Sequence, residues 1–275
     1  MRFKESHLLF VLLVAVGLQV FYLSIVGFTT TPFYDVENEI TRCPDWRFHE
    51  CYASCLVLSE CNPSGGYDSY MPLIHLTANV LSSLSSFPPL FWLAVFTSAS
   101  LCLLTALLFK HSNGLLGGLL AVALFLMVLP LAFILLTGMP LFTWFDLVAC
   151  GLVTFLVATA LFCLLLLEAG NLGFTKSFKV FALIVASHNY GFVLALFALA
   201  CFTGSFLVEY LTNGKLRLPV TWFAIAGVLT WLAVFSSRYL TYSGERIVFV
   251  LYFLLVLELS RFLSQQFNFG AKPPK

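Results

Sequence analysis

The residues best suited to chemistry in this chain gather between Thr29 and Pro88, a long polar stretch in an otherwise apolar sequence. Seven of the 13 Asp and Glu residues lie there: Asp35, Glu37, Glu39, Asp45, Glu50, Glu60 and Asp68. The first two form an acid pair, Asp35-Val36-Glu37, a few residues beyond the first apolar run. A carboxylate at that depth can act as a general base toward a head group that stays in the bilayer. His75 ends the segment Tyr70-Met71-Pro72-Leu73-Ile74-His75, and His188 sits in the polar break Ser187-His188-Asn189-Tyr190-Gly191. Arg238 and Arg246 flank Tyr-Leu-Thr-Tyr-Ser-Gly-Glu. Guanidinium groups in that setting suit a phosphate.

The elements that position these residues follow from composition. Sixty percent of the residues are apolar, 10% are charged, and the mean hydropathy is +0.97. A soluble domain of this size cannot bury that much apolar surface, so the expectation is an all-α, polytopic membrane helix bundle. About eight transmembrane segments, seven to eight, are expected, with one large outer loop after the first helix. No basic stripe supports nucleic-acid binding.

Residues 1–28 read as a signal anchor, an uncleaved first span over about Leu8–Gly27 behind Arg2 and Lys4. Its positive flank places the N-terminus in the cytoplasm and the acidic loop, residues 29–88, on the outer or lumenal side. Within that loop, Trp46, His49, Tyr52, Ala53 and Leu56 recur at helical spacing, predicting a short helix near Asp45–Glu60. Pro72–Leu84 reads as an amphipathic interfacial helix.

The bundle, residues 89–263, begins with a span from Pro88-Pro89 to Phe109. A tight turn follows at Lys110–Gly114, then spans over Leu115–Leu136 and about Phe142–Leu167, then a polar loop from Glu168 to Lys179. Val180–Leu211 is long for one crossing and short for two. Charge arbitrates. A single crossing puts Arg42, Arg47, Lys215, Arg217, Arg261, Lys272 and Lys275 outside. A hairpin turning at His188 leaves only Arg42, Arg47, Arg238 and Arg246 there, which the positive-inside rule favours. Spans over about Leu218–Phe235 and Ile247–Leu263 complete the set, and residues 264–275 are expected to be a disordered cytoplasmic tail. Glu258 is expected to pair with Arg261 at i+3. Asp146 stands at a helix mouth, where a dipole partner and a functional acid remain alternatives.

Cys43, Cys51, Cys55 and Cys61 lie in the outer loop. Four cysteines outside the cytoplasm predict two disulfides, with three connectivities open. Their spacing, C-x7-C-x3-C-x5-C, matches no common zinc pattern. Cys102, Cys150, Cys163 and Cys201 fall in apolar runs and read as packing residues.

In order and sidedness these motifs resemble the integral-membrane glycosyltransferases of the GT-C fold. Asp35-Val36-Glu37 stands where that family carries its acidic motif. Tyr70–His75 resembles its tyrosine-proline-leucine element, Ser187-His188-Asn189 its polar break, and Gly244-Glu245-Arg246-Ile247 the Arg that opens a late helix. The resemblance implies a polyprenyl-phosphate-linked sugar as donor, Asp35 as general base, and Glu37 orienting the base or the acceptor. It also implies Arg246 or Arg238 on the lipid phosphate, and His75 and His188 near sugar or phosphate. Members work with or without a metal, so a divalent cation, Mg2+ or Mn2+, at Asp35 and Glu37 stays open beside no cofactor at all.

Many members are longer and carry a soluble C-terminal domain. Here acceptor binding would fall to a partner subunit, with membrane lipid as the other partner. The protein is expected in the plasma membrane or an endomembrane. A non-catalytic assembly or scaffold subunit with a disulfide-stapled ectodomain is the alternative. A transporter ranks third, because deep polar residues and an internal repeat are not evident.

Overall fold

The computed structural model describes residues 2–30, 45–57, 61, 72–128, 131, 135, 144, 148, 153–188 and 243–268. Every described element is helical. In chain order they are α1 (Arg2–Thr30), α2 (Asp45–Cys55), α3 (Leu73–Leu84), α4 (Pro89–His111), α5 (Gly114–Ala123), a π-helical turn (Leu124–Val128), α6 (Val153–Ser187) and α7 (Ser243–Asn268). Two helices are long and apolar enough to cross a membrane, Ser6–Ile25 within α1 and Pro89–His111. The described residues fall into two compact units. One lies within Phe10–Leu104 and Phe145–Leu196, the other within Met1–Leu9, Thr105–Trp144 and Phe197–Lys275.

In the first unit, α1 buries a narrow stripe. Val16, Val20 and Ser24 recur every four residues and are buried, while Phe10, Val11, Leu18 and Tyr22 are exposed. Gly17 lets Cys102 of α4 come close, since a Cβ there would lie 3.2 Å from its sulfur. The Cys102 thiol donates to Leu13 O at 3.3 Å. The buried hydroxyls of Thr97 and Ser98 donate to the carbonyls of Leu93 and Ala94 four residues back. A polar group in an apolar helix is thereby satisfied without a partner helix.

The first unit also contains α6, and here the expected polar loop Glu168–Lys179 is corrected in detail. Both flanking helices extend into it, and Gly173 alone leaves helical geometry, at φ 71° and ψ 170°. A straight 35-residue helix would be about 52 Å long. Yet the rings of Phe155 and His188, at opposite ends of the segment, lie 5.7 Å apart. The two arms therefore fold back on each other at Gly173, whose missing Cβ permits the left-handed φ. The return arm ends at Ser187, so the helix stops where the polar break was expected.

In the second unit, α5 packs on α7 through small residues. A Cβ on Gly117 would meet Ser264 Oγ at 3.2 Å, and Ser112 Oγ lies 3.1 Å from Ser260 Oγ. The expected Glu258–Arg261 pair forms at 2.7 Å. Arg261 Nε also donates to His111 O at 2.8 Å, satisfying a carbonyl at the end of α4. Beyond α5 the Tyr252 hydroxyl donates to the carbonyls of Leu124 and Phe125 in the π turn. That turn shifts carbonyls out of the regular ladder, and the buried phenol takes them up.

The close approach of α4 and α5 gives a stability prediction. A Cβ on Gly118 would lie 2.8 Å from the Phe109 ring, closer than any relaxed contact. Gly118→Ala is expected to cost about 1–3 kcal/mol despite alanine's better helix propensity. Thermal unfolding of the purified protein measures it, and a stabilised variant would mean that the ring moves aside freely.

Candidate functional site: a buried histidine pair and a cysteine cluster

Helix α2 presents one apolar face. His49, Tyr52 and Ala53, at i, i+3 and i+4, are all buried. Helix α3 answers with Ile74, His75 and Ala78, also buried. Ala53 and Ala78 are completely covered, and their small side chains let the two backbones approach. Leu90 and Leu93 of α4 and Val153 of α6 close the same core, with Trp92, Phe96 and Val157 packed around it.

Two polar contacts fix the pairing of α2 with α3. Asn79 of α3 donates through Nδ2 to Ala53 O at 2.8 Å and to Ser54 O at 3.3 Å. It thus takes carbonyls that the end of α2 cannot satisfy internally. Between the helices, His49 Nδ1 and His75 Nε2 lie 2.7 Å apart. Their rings stack at 4.9 Å and 27°. Tyr52 lies 4.7 Å from the His75 ring, and Phe48 lies edge-on to it at 6.4 Å.

The histidine contact requires one facing nitrogen to carry a proton and the other to be bare. Two doubly protonated rings cannot make it, so the pair holds a net charge of zero or one. An imidazole pair of that kind, enclosed by apolar and aromatic side chains, is able to hold a proton or pass one along.

The C-terminal end of α2 carries sulfur chemistry. Leu56 N donates to Tyr52 O at 2.9 Å, and Leu56 adopts the left-handed conformation at φ 56°. That geometry ends many helices, but glycine usually supplies it. Beyond Leu56, Cys61 forms a disulfide with Cys51. Cys55 carries a free thiol, its sulfur 3.1 Å from that of Cys61. All three sulfurs lie within 4.8 Å of one another. As thiolates they would suit a soft metal, but that use requires the disulfide to be reduced first.

The remaining expected site residues distribute as follows. His75 is buried and faces His49 of α2. His188 is buried at the end of α6, edge-on to Phe155. Arg246 lies in the first turn of α7, which belongs to the second unit, and its side chain is outside the described atoms. Asp35, Glu37, Arg238 and Cys43 lie outside the described residues, as does the span expected over Leu218–Phe235. The Cys51–Cys61 bond selects among the connectivities the sequence left open, and Cys55 carries a free thiol where two disulfides among the four were expected. Comparison with family models, curated proteins and solved structures finds no match to this chain. The function must therefore be read from the residues themselves.

His49 is the site residue that sequence reading passed over. It appeared only as one term of the helical spacing in α2. Its signal is present all the same: a histidine on the same face as Tyr52 and Ala53 must find a polar partner once that face is buried.

Proposed function

We propose that this chain is a multi-pass membrane enzyme that moves a sugar from a polyprenyl-phosphate donor to an acceptor on the extracytoplasmic face. The observation that carries the reading is the buried His49–His75 contact at 2.7 Å. Two imidazoles buried among apolar side chains hydrogen-bond each other, and they tie α2, in the stretch beyond the acid pair, to α3, the helix that precedes α4. The mostly exposed apolar surface of α1, and the length of α1 and α4, support a membrane setting.

In this reading Asp35 takes the proton of the acceptor hydroxyl as its oxygen bonds to the anomeric carbon. The bond from that carbon to the phosphate oxygen breaks, and the polyprenyl phosphate leaves with the electron pair. Arg246 or Arg238 stabilises the charge it gains. Glu37 orients the base or the acceptor. His75 acts through His49 to hold α2, and with it the start of the outer loop, at the interface. His188, buried at the end of α6, shapes the outer end of the first unit. A partner subunit supplies acceptor binding.

The scaffold reading has one observation of its own. The disulfide-tied α2 docks on α3 through Ala53, Ile74 and Ala78, as a stable ectodomain cap would. Radiolabelled transfer separates the two. Membranes containing the protein are incubated with a panel of polyprenyl-phosphate sugars, with and without a chelator. Transfer above that of membranes lacking the protein is expected, and chelator sensitivity would add a divalent cation at Asp35 and Glu37. Well-expressed protein that transfers nothing from any donor, even in membranes of its native source, would return the chain to the scaffold class.

A further inference from the structure

The cysteine cluster at the end of α2 has no part in sugar transfer, and its geometry points to chemistry of its own. Cys51 and Cys55 stand four residues apart on one helix, so both sulfurs project from the same face. Cys61 returns to that face after the left-handed turn at Leu56. It bonds Cys51, yet the Cys55 sulfur lies only 3.1 Å from it, within van der Waals contact. Val57 holds the Cys55 sulfur there. Its N–H donates to the sulfur at 3.4 Å, and its carbonyl accepts from the thiol at 3.6 Å. Neither Cys55 nor Cys61 is buried, so solvent can carry protons to and from both.

We propose that Cys55 is an exchange thiol, and that Cys61 alternates between Cys51 and Cys55 as its disulfide partner. The Cys55 thiolate attacks Cys61 Sγ, a Cys55–Cys61 bond forms, the Cys51–Cys61 bond breaks, and Cys51 leaves as thiolate. The proton lost by Cys55 goes to solvent, and Cys51 takes one back. One disulfide and one thiol stand on each side, so no oxidant or reductant is consumed. The exchange moves the covalent tie by one helical turn, about 5.4 Å along α2. It leaves a thiol on the turn that carries His49 and Tyr52. The outer loop thus has two covalent registers over one docked helix, because Asn79 and the alanine contacts hold α2 on α3 in both.

The left-handed Leu56 supports this assignment independently. A non-glycine residue in that conformation costs about 1–2 kcal/mol. Leu56 stands between Cys55 and Cys61, at the end of α2.

Peptide mapping of the full chain tests the proposal. The protein in membranes is held at mildly alkaline pH and trapped with N-ethylmaleimide at mildly acidic pH. It is then digested with pepsin, which can cut at Tyr52, Leu56 and Leu58 between the three cysteines. The expected wild-type map contains both Cys51–Cys61 and Cys55–Cys61 linked peptides, each with maleimide on the cysteine left over. Cys51→Ser is expected to carry only the Cys55–Cys61 link, and Cys55→Ser only the Cys51–Cys61 link. A map with Cys51–Cys61 alone, and Cys55 either fully alkylated or fully bonded to Cys43, would overturn the proposal. So would Cys51→Ser with Cys61 alkylated. If Cys51→Ser fails to accumulate, the wild-type map decides alone. None of these results depends on sugar transfer.

Discussion

His75→Ala is expected to destabilise the protein by about 3–5 kcal/mol, as removal of a large buried ring does elsewhere. Two effects add. The fully buried ring leaves a void between α2 and α3, beside Tyr52 and Phe48. His49 Nδ1 also loses its partner at 2.7 Å in a place that water does not reach, a further cost of about 1–3 kcal/mol that part of the relaxation recovers. Against a total stability of roughly 5–15 kcal/mol, that is a large share.

The informative control is the double variant His49→Phe/His75→Phe. Replacing both members of a buried hydrogen bond by apolar rings of similar shape leaves neither nitrogen of that bond orphaned, so its stability is expected within about 1.5 kcal/mol of wild type. Each single Phe variant should be worse than the double, which gives a coupling energy of opposite sign to the separate losses. Thermal unfolding of the four proteins closes the cycle. Transfer activity then separates packing from function. A double variant that folds but no longer transfers sugar makes the pair a working part of the enzyme, whereas one that folds and retains full transfer makes it a packing device.

The helices around this pair were largely legible. Trp46, His49, Tyr52, Ala53 and Leu56 place α2 because a one-sided helix must repeat its apolar positions at three and four residues, and α2 runs Asp45–Cys55. Pro72 and the amphipathic residues after it place α3, and α4 needs only its unbroken apolar length. The partner of His75 was not legible. The two histidines are 26 positions apart with no signal for pairing between them, and the contact exists only after Ala53 and Ala78 have brought the two faces together.

Gly173 shows a different kind of gap. A polar stretch from Glu168 to Lys179 reads as a loop by composition. Its residues are nonetheless adequate helix formers, Asn171 bonds Glu168 at 2.7 Å, and a single glycine suffices to reverse the chain. The cysteine pairing was likewise beyond sequence. Cys51 and Cys55 share one helical face, both within reach of Cys61, and that shared reach is the basis of the proposed exchange.

Asp35→Asn is expected to lower sugar transfer by about 10²–10⁴-fold. The amide keeps the shape of the carboxylate and its hydrogen-bonding reach, but it cannot accept the acceptor's proton at the moment of attack. A residue that works on the acceptor hydroxyl should leave donor affinity almost intact. The loss is therefore expected in kcat, with KM for the polyprenyl-phosphate sugar changing little. Arg246→Ala or Arg238→Ala should behave in the opposite way, for whichever of them holds the phosphate. It removes charge stabilisation present in the bound donor and stronger in the transition state, so KM rises and kcat falls together. The pH profile gives a third readout. A base must be deprotonated to act, so the wild-type rate rises with pH through the titration of that group, and Asp35→Asn should lose this acidic limb. A variant with unchanged transfer and an unchanged limb would move the base to another acid of the outer loop, with Glu37 the first to test. A uniform rise in KM without loss of kcat would make Asp35 a binding residue, because uniform binding alters affinity and leaves the chemical step untouched.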